Sequence, residues 1–128
     1  MIVGVGVDII SVERIRGIVE RQKERFLSRV FTEDEVRYCR RCAHPEQRFA
    51  ARFAAKEAVL KALGVGWQKG TTFRDVHVSN NELGAPAVTL TGRSLEISRR
   101  LGVKRILLSL SHDKSYAVAQ AVAEADQA

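Results

Sequence analysis

Hydrophobic and polar positions follow two different periods along the chain, and these periods predict its elements. Apolar residues recur every three to four positions through much of the first half, which indicates helices, and every second position near the end, which indicates strands. The opening run, residues 2–10, reads as an apolar strand interrupted by Asp8. The run 116–124 is rich in alanine, which favours helices. Its neighbour alternates with period two across a hairpin-short link, so we interpret this run as a strand.

Local start and stop signals predict where the other elements begin and end. Ser11 is a suitable cap for a first helix. Thr32 and Glu35 form a capping-box pattern before a second helix. Pro45 suits the first turn of a third helix, and Gly64 its end. The predicted elements are a strand at 2–10, helices at 12–26, 33–41 and 45–63, strands at 73–79 and 86–91, a helix at 93–101, and strands at 105–112 and 116–124.

This order, β-α-α-α-β-β-α-β-β, predicts a single α+β domain over residues 1–128, with a mainly antiparallel sheet packed against a long helix. The length of 128 residues and the content of 45% hydrophobic and 28% charged residues are normal for one globular domain. No apolar run is long enough to span a bilayer, and the first residues lack the pattern of a secretion signal. We therefore expect a cytoplasmic protein without membrane contact.

The charge balance favours anionic partners. Lys and Arg outnumber Asp and Glu by 21 to 15, for a net charge of +6. Nucleic acid is disfavoured because only 6% of residues are aromatic and no recognition motif is present. A dinucleotide fingerprint is excluded, since no third glycine follows Gly4 and Gly6 at the required spacing. Cys39 and Cys42 have no second cysteine pair to complete a zinc site, so we interpret them as reduced thiols.

The third predicted helix carries charged residues where apolar side chains are expected. A helical wheel places Lys56 inside the core-facing stripe and Glu57 on its shoulder. One interpretation is a solvated surface with an i,i+4 pair between Glu57 and Lys61. The other is a pocket for a metal-bound polyphosphate, in which the carboxylate holds a hard cation and the cations bind phosphate oxygens. The apolar residues that define the stripe are Phe49, Phe53, Leu60 and Leu63.

Asp8 is the candidate for a second metal ligand. A hard divalent cation usually takes more than one carboxylate, directly or through water. Asp8 interrupts an apolar strand, which is unfavourable unless the carboxylate has a partner. The alternative is that it lies on the solvent face of the strand or pairs with an arginine.

Two long motifs, residues 4–15 and 52–64, resemble those of a known family, with support from residues 81–86 and 108–113. In order and spacing the chain resembles the holo-acyl-carrier-protein synthases, the small branch of the 4′-phosphopantetheinyl transferases. The resemblance implies transfer of 4′-phosphopantetheine from coenzyme A to a serine of an apo acyl-carrier protein, with release of adenosine 3′,5′-bisphosphate. The loop at 64–66 reads Gly-Val-Gly, where the family commonly has Gly-Thr-Gly.

The resemblance also implies roles for individual residues. Asp8 and Glu57 match the magnesium ligands of the family. Lys61 matches a lysine that contacts the phosphates and protonates the leaving group, and Glu35 is a candidate participant in removing the serine proton. The residues implied to bind coenzyme A are Arg52, Lys56, Lys61, Gly66 and His112.

Partners follow from the same resemblance. Arg14 matches a residue that meets the acidic carrier protein, and its neighbours Arg21 and Arg25 extend a basic surface that either steers the carrier or is an ordinary solvated face. The family forms homotrimers with active sites between subunits, and the alanine face of the last strand would suit such packing. The competing function is a non-catalytic domain of the same fold that binds coenzyme A or a carrier protein.

Overall fold

A computed structural model describes residues 1–65 and 71–127 as a three-stranded antiparallel sheet packed against a long helix, with a separate two-stranded hairpin. The helices and strands in chain order are β1 (Ile2–Ser11), α1 (Val12–Gln22), α2 (Glu24–Val30), α3 (Glu33–Arg41), α4 (Pro45–Ala62), a 3₁₀ turn (Phe73–Asp75), β2 (Val76–Asn80), β3 (Pro86–Leu90), α5 (Gly92–Arg100), β4 (Val103–His112) and β5 (Tyr116–Ala125). The predicted α+β class is confirmed. Within the described ranges, no helix is both long and apolar enough to cross a membrane.

The alanine-rich run forms β5, the central strand of the sheet, between β1 and β4. The prediction that this run is a strand is therefore confirmed. Its alanines at positions 117, 119, 121 and 123 are at most 1% exposed and face α4 of the same chain. The expectation that this face packs on a neighbouring subunit is wrong, because the small side chains let the chain's own helix approach the sheet closely.

Glycines bring β1 equally close to α4. A Cβ placed on Gly6 would lie 2.0 Å from the carbonyl oxygen of Ala58, and one on Gly4 would lie 1.8 Å from that of Ala62. Only glycine fits at such an approach of backbone to backbone. These contacts hold the strand that carries Asp8 against the helix that carries Glu57 and Lys61.

The helix starts follow the predicted caps. The Arg14 amide donates to Ser11 Oγ at 3.2 Å, and the capping box of Thr32 and Glu35 is present in both directions. Pro45 lies in the first turn of α4, which ends just before Gly64 with φ of +75°.

The first predicted helix is wrong in one respect, since it is broken at Lys23. This residue has φ of +50°, so that α1 ends at Gln22 and α2 begins at Glu24. A positive φ is unfavourable for a lysine and costs about 1–3 kcal/mol. The break turns α2 so that the ring of Phe26 lies 6.2 Å from that of Phe53 in α4, and the burial of Phe26 offsets the strain.

Candidate active site

Asp8 of β1 and Glu57 of α4 line one pocket of about 590 Å³, which lies beside the contact between strand and helix. Arg14 and Arg29 contribute positive charge to its lining. The rest of the lining among the described residues is mostly apolar or hydroxylic: Ile9, Ile10, Phe26, Val30, Phe53, Thr71, Thr72 and Phe73. The pocket therefore combines two carboxylates, two guanidinium groups and an aromatic wall.

The two carboxylates act on each other electrostatically. Burial, followed by the negative charge of Asp8, raises the pKa of Glu57 above its ordinary value, while Lys61 and Arg14 oppose that rise. Oxygen ligands that repel one another in this way suit a hard divalent cation, whose charge would relieve the repulsion. Among residues 1–65 and 71–127, no group of three or more His, Cys, Asp or Glu side chains could hold a metal ion. A metal here would have these two protein carboxylates as its ligands.

Lys61 reaches back from α4 to β1. Its Nζ donates to the carbonyl oxygen of Val7 at 2.9 Å and to Asp8 Oδ1 at 3.2 Å. The ion pair of Lys61 is thus with Asp8 on the neighbouring strand, and not the i,i+4 pair with Glu57 that the solvated-surface interpretation requires. Because the lysine side chain is 49% exposed, its ammonium remains accessible to a ligand.

Lys56 and Glu35 lie inside the domain, with 0% and 1% of their surface exposed. Their Nζ and Oε1 atoms are 2.8 Å apart. The burial of Lys56 lowers its pKa, and the negative charge of Glu35 opposes that effect. A direct contact of Lys56 with coenzyme A, or of Glu35 with the serine proton, does not fit this arrangement, because neither side chain reaches the pocket surface.

Arg52 also lies away from the pocket that Asp8 and Glu57 line. It is 3% exposed, its guanidinium carbon lies 4.1 Å from the centre of the Tyr38 ring, and its Nη2 donates to Asn80 Oδ1 at 3.3 Å. In the described part of the chain its Nε has no hydrogen-bond partner. The predicted contact of Arg52 with a nucleotide phosphate is not supported by this position, since the guanidinium is enclosed by α3 and the β2 end.

His112 is not part of the lining of this pocket. His112 ends β4, where its Nδ1 lies 3.1 Å from Gln47 Oε1 in α4. Burial and the nearby Arg48 lower the pKa of His112. Gly66 lies outside the described residues.

The basic residues proposed to meet a carrier protein lie on two helices, α1 and α2, where the sequence predicted one. Arg14 lines the pocket, and Arg21 and Arg25 are exposed along α1 and α2. Sequence reasoning missed Arg29 and the aromatic residues Phe26 and Phe73 of the pocket lining. Apolar residues of this kind are indistinguishable from core residues in a sequence, and no spacing rule marked Arg29.

A family model described as the 4′-phosphopantetheinyl transferase superfamily matches residues 4–121. The chain belongs to this superfamily. The holo-[acyl-carrier-protein] synthase of Koribacter versatilis is 44% identical over 124 residues, which cover 97% of this chain and 99% of the relative. The resemblance found in the sequence is confirmed, and the protein is a phosphopantetheinyl transferase.

Solved structures agree with this assignment. The holo-[acyl-carrier-protein] synthase of Neisseria meningitidis superposes with a TM-score of 0.87 at 33% identity, covering 97% of this chain and 99% of the other. The Helicobacter pylori synthase in complex with coenzyme A superposes with a TM-score of 0.83 at 34% identity, covering 94% of this chain and 99% of the other. Fold and family therefore point to the same group of enzymes.

Proposed function

We propose that this enzyme transfers 4′-phosphopantetheine from coenzyme A to a serine of an apo acyl-carrier protein. The donor is supported by the Helicobacter pylori synthase, a structural neighbour solved with coenzyme A. The acceptor is supported by the name that the relatives share. The observation that carries the proposal is the pocket in which Asp8 and Glu57 face each other beside Arg14.

The reaction is a phosphoryl transfer. The serine oxygen forms a bond to the phosphorus that bears the pantetheine, the bridging bond of the pyrophosphate breaks, and adenosine 3′,5′-bisphosphate leaves. The serine proton passes to solvent. Positioning and charge neutralisation supply most of the catalysis in reactions of this type.

We place a magnesium ion on Asp8 and Glu57. When bound, it would supply charge neutralisation to the pyrophosphate and polarise the phosphorus under attack. Lys61, which reaches Asp8 across the edge of the site, would hold the leaving phosphate through its ammonium and return a proton to it. Arg14 would add positive charge beside Glu57.

Three roles expected from the family resemblance remain proposals on this chain. His112 would contact the nucleotide phosphates, and Gly66 would contact coenzyme A through its backbone. Arg14, Arg21 and Arg25 would bind the acidic carrier protein, because they are exposed on the consecutive helices α1 and α2, both of which contribute residues to the pocket lining. The expected cytoplasmic location also stays a prediction.

The outer face of the sheet supports self-association, for which the family resemblance implies a homotrimer. Val5, Val7 and Ile9 are each about 60% exposed, at 61%, 59% and 64%, and lie in register with Val122, Gln120 and Val118 of β5. Leu107 of β4, 54% exposed, extends the same face. An exposed surface with this many large apolar side chains, interrupted by Gln120, is typical of a protein interface. We propose that copies of this chain meet on it.

A mass measurement tests the proposed function. The protein is incubated with coenzyme A, Mg²⁺ and several apo carrier proteins, and the carriers are weighed. We expect each accepted carrier to gain the mass of one phosphopantetheine group. Binding of coenzyme A without any mass gain would instead support the competing function, a non-catalytic binding domain.

A further inference from the structure

The Glu35–Lys56 pair is a fully bonded junction in the interior of the domain. Glu35 Oε1 accepts from Lys56 Nζ and from the Thr32 amide, both at 2.8 Å. Its Oε2 accepts from the amide of Val78 at 2.9 Å. The carboxylate thereby joins the start of α3 to α4 and to β2, with no oxygen left unbonded.

Lys56 completes the junction on its other side. Besides the bond to Glu35, its Nζ donates to the carbonyl oxygens of Phe73 at 3.0 Å and Val76 at 2.7 Å. The three donors of an ammonium group are therefore all used. The Val76 carbonyl belongs to the first residue of β2, and the Phe73 carbonyl belongs to the segment 71–75 that precedes β2 and contains the 3₁₀ turn Phe73–Asp75.

That segment forms part of the active-site pocket. Thr71, Thr72 and Phe73 line it, and the ring of Phe73 lies 5.3 Å from that of Phe53, which lines it too. Lys56 directly precedes Glu57 on α4. The ammonium that binds the Phe73 carbonyl is thus attached to the same helical turn as the proposed metal ligand, and this link joins the pocket wall to the carboxylate.

We propose that Glu35 and Lys56 are positioning residues, which set the wall at residues 71–73 relative to Glu57 and so determine how the reacting phosphate is held. A buried ion pair is a weak source of net stability, since removing two charges from water offsets much of their attraction. Its bond to the Phe73 carbonyl, in a segment outside both sheets, supplies geometric definition instead. The inference rests on the transferase function proposed above.

Two variants separate positioning from stability. In the double variant E35Q/K56M, both charges of the pair are removed, and the bonds from Lys56 to the Phe73 and Val76 carbonyls are lost. In E35D the charge pair is kept, but the shorter carboxylate draws Lys56 away from Phe73. The matched control is L108A, which removes an apolar side chain packed against the core from β4, outside the pocket lining.

We expect E35Q/K56M to lower kcat by about 10- to 100-fold, because small misplacements of reacting groups have effects of that order. The KM for coenzyme A should change by less than about threefold, since the wall lies at the reacting end. E35D should lower kcat less, in the same direction. Each kcat is calculated per mole of folded enzyme, and the folded fraction is measured by circular dichroism. The control L108A should lose thermal stability while its kcat stays unchanged.

Amide hydrogen exchange gives a readout that does not depend on activity. Residues 73–78 should exchange faster in E35Q/K56M and E35D than in the wild type, and L108A should leave them unchanged. Wild-type kcat in the folded double variant, or in E35D should the double variant not fold, would overturn the proposal. If the wild type transfers nothing, the transferase function proposed above fails, but hydrogen exchange still tests the Glu35–Lys56 junction. Unchanged exchange of residues 73–78 in both variants would refute the positioning proposal.

Discussion

The backbone of Gly6 lies directly against the carbonyl oxygen of Ala58, where a methyl group would stand 2.0 Å from that oxygen. The contact fixes the spacing between β1 and α4, and with it the spacing of Asp8 from Glu57. Gly6→Ala must push strand and helix apart, because the two atoms nearest to the added methyl group, the Ala58 carbonyl oxygen and the Ala62 amide nitrogen, belong to the backbone of α4. We expect a loss of about 1–3 kcal/mol or more in unfolding free energy, measured in urea.

Gly17→Ala is the control for that substitution. Gly17 lies within α1, and the nearest atom to an added Cβ is the flexible end of Arg21 at 3.1 Å. Alanine is favoured over glycine inside a helix by about 1 kcal/mol, so this variant should be neutral or slightly stabilised. Equal stability of the two variants would contradict the close approach of β1 to α4.

Removing either proposed metal ligand should abolish magnesium-dependent catalysis. Asp8→Asn and Glu57→Gln keep the shape of the side chain but lose its charge, and we expect transfer to fall by about 100-fold or more, as for other lost electrostatic contacts to a transition state. Because burial and Asp8 raise the pKa of Glu57, its charged form is disfavoured without a cation. Glu57→Gln should therefore keep or raise the melting temperature in EDTA.

The metal assignment also has a thermal test. Mg²⁺ should raise the melting temperature of the wild type and of Glu96→Gln, a charge-removing control on α5. It should have no effect on Asp8→Asn or Glu57→Gln. A full magnesium shift in both ligand variants would place the ion elsewhere.

The two cysteines should differ sharply in reactivity. Burial raises the pKa of Cys39 to about 12, and its side chain is fully enclosed, whereas Cys42 is half-buried. The thiolate is the reactive form, so iodoacetamide at mildly alkaline pH should label Cys42 alone in the native protein. Peptide mass spectrometry locates the label, and Cys42→Ala should take up none until it is unfolded.

The same shift predicts a pH dependence of stability. The pKa of Cys39 is higher in the folded protein than its ordinary value of 9.0. The unfolded chain therefore releases this proton first, and the contribution of Cys39 to stability is present below pH 9 and is lost as pH rises towards about 12. In urea titrations across that range, Cys39→Ala should weaken the decline.

A charge on the outer sheet face should dissociate the proposed trimer. Val7 is 59% exposed within an apolar surface, so Val7→Asp would place a carboxylate inside the interface. Light scattering should then report a monomer. Leu83 is 94% exposed at the β2–β3 turn, away from that surface, and Leu83→Asp should keep the wild-type mass. A wild-type monomer would refute the trimer.

Charge reversal on the basic helices should weaken carrier recognition. Arg21→Glu and Arg25→Glu would repel an acidic partner, and we expect the KM for the carrier to rise by about tenfold, with a weaker dependence on salt. The KM for coenzyme A should not change. Arg100→Glu, at the end of α5, is the matched control for net charge. Equal effects at all three positions would show that only total charge matters.

Features that depend on neighbouring residues were predicted well from the sequence. The capping box of Thr32 and Glu35, the helix end at Gly64 and the final alanine-rich strand all follow from short-range rules, and the structure contains each of them. The helical wheel also placed Lys56 correctly inside the apolar stripe of α4, where it is fully buried. The long motifs were sufficient to identify the family.

The break at Lys23 could not be predicted in the same way. The apolar spacing on either side is compatible with one helix, and no glycine or proline marks the turn. The positive φ of Lys23 is unfavourable locally and is offset by the burial of Phe26 against Phe53, a contact between residues distant in the chain.

Sequence by itself determined that Lys56 needed a partner, since a charge on a buried helix face is unfavourable alone. Only the tertiary structure decided that the partner is Glu35, because α3 and α4 meet through packing that no local rule encodes. The same holds for Asp8 and Glu57. Their residue types indicated a metal site, but the approach of β1 to α4 through Gly6 brings the two carboxylates into one pocket.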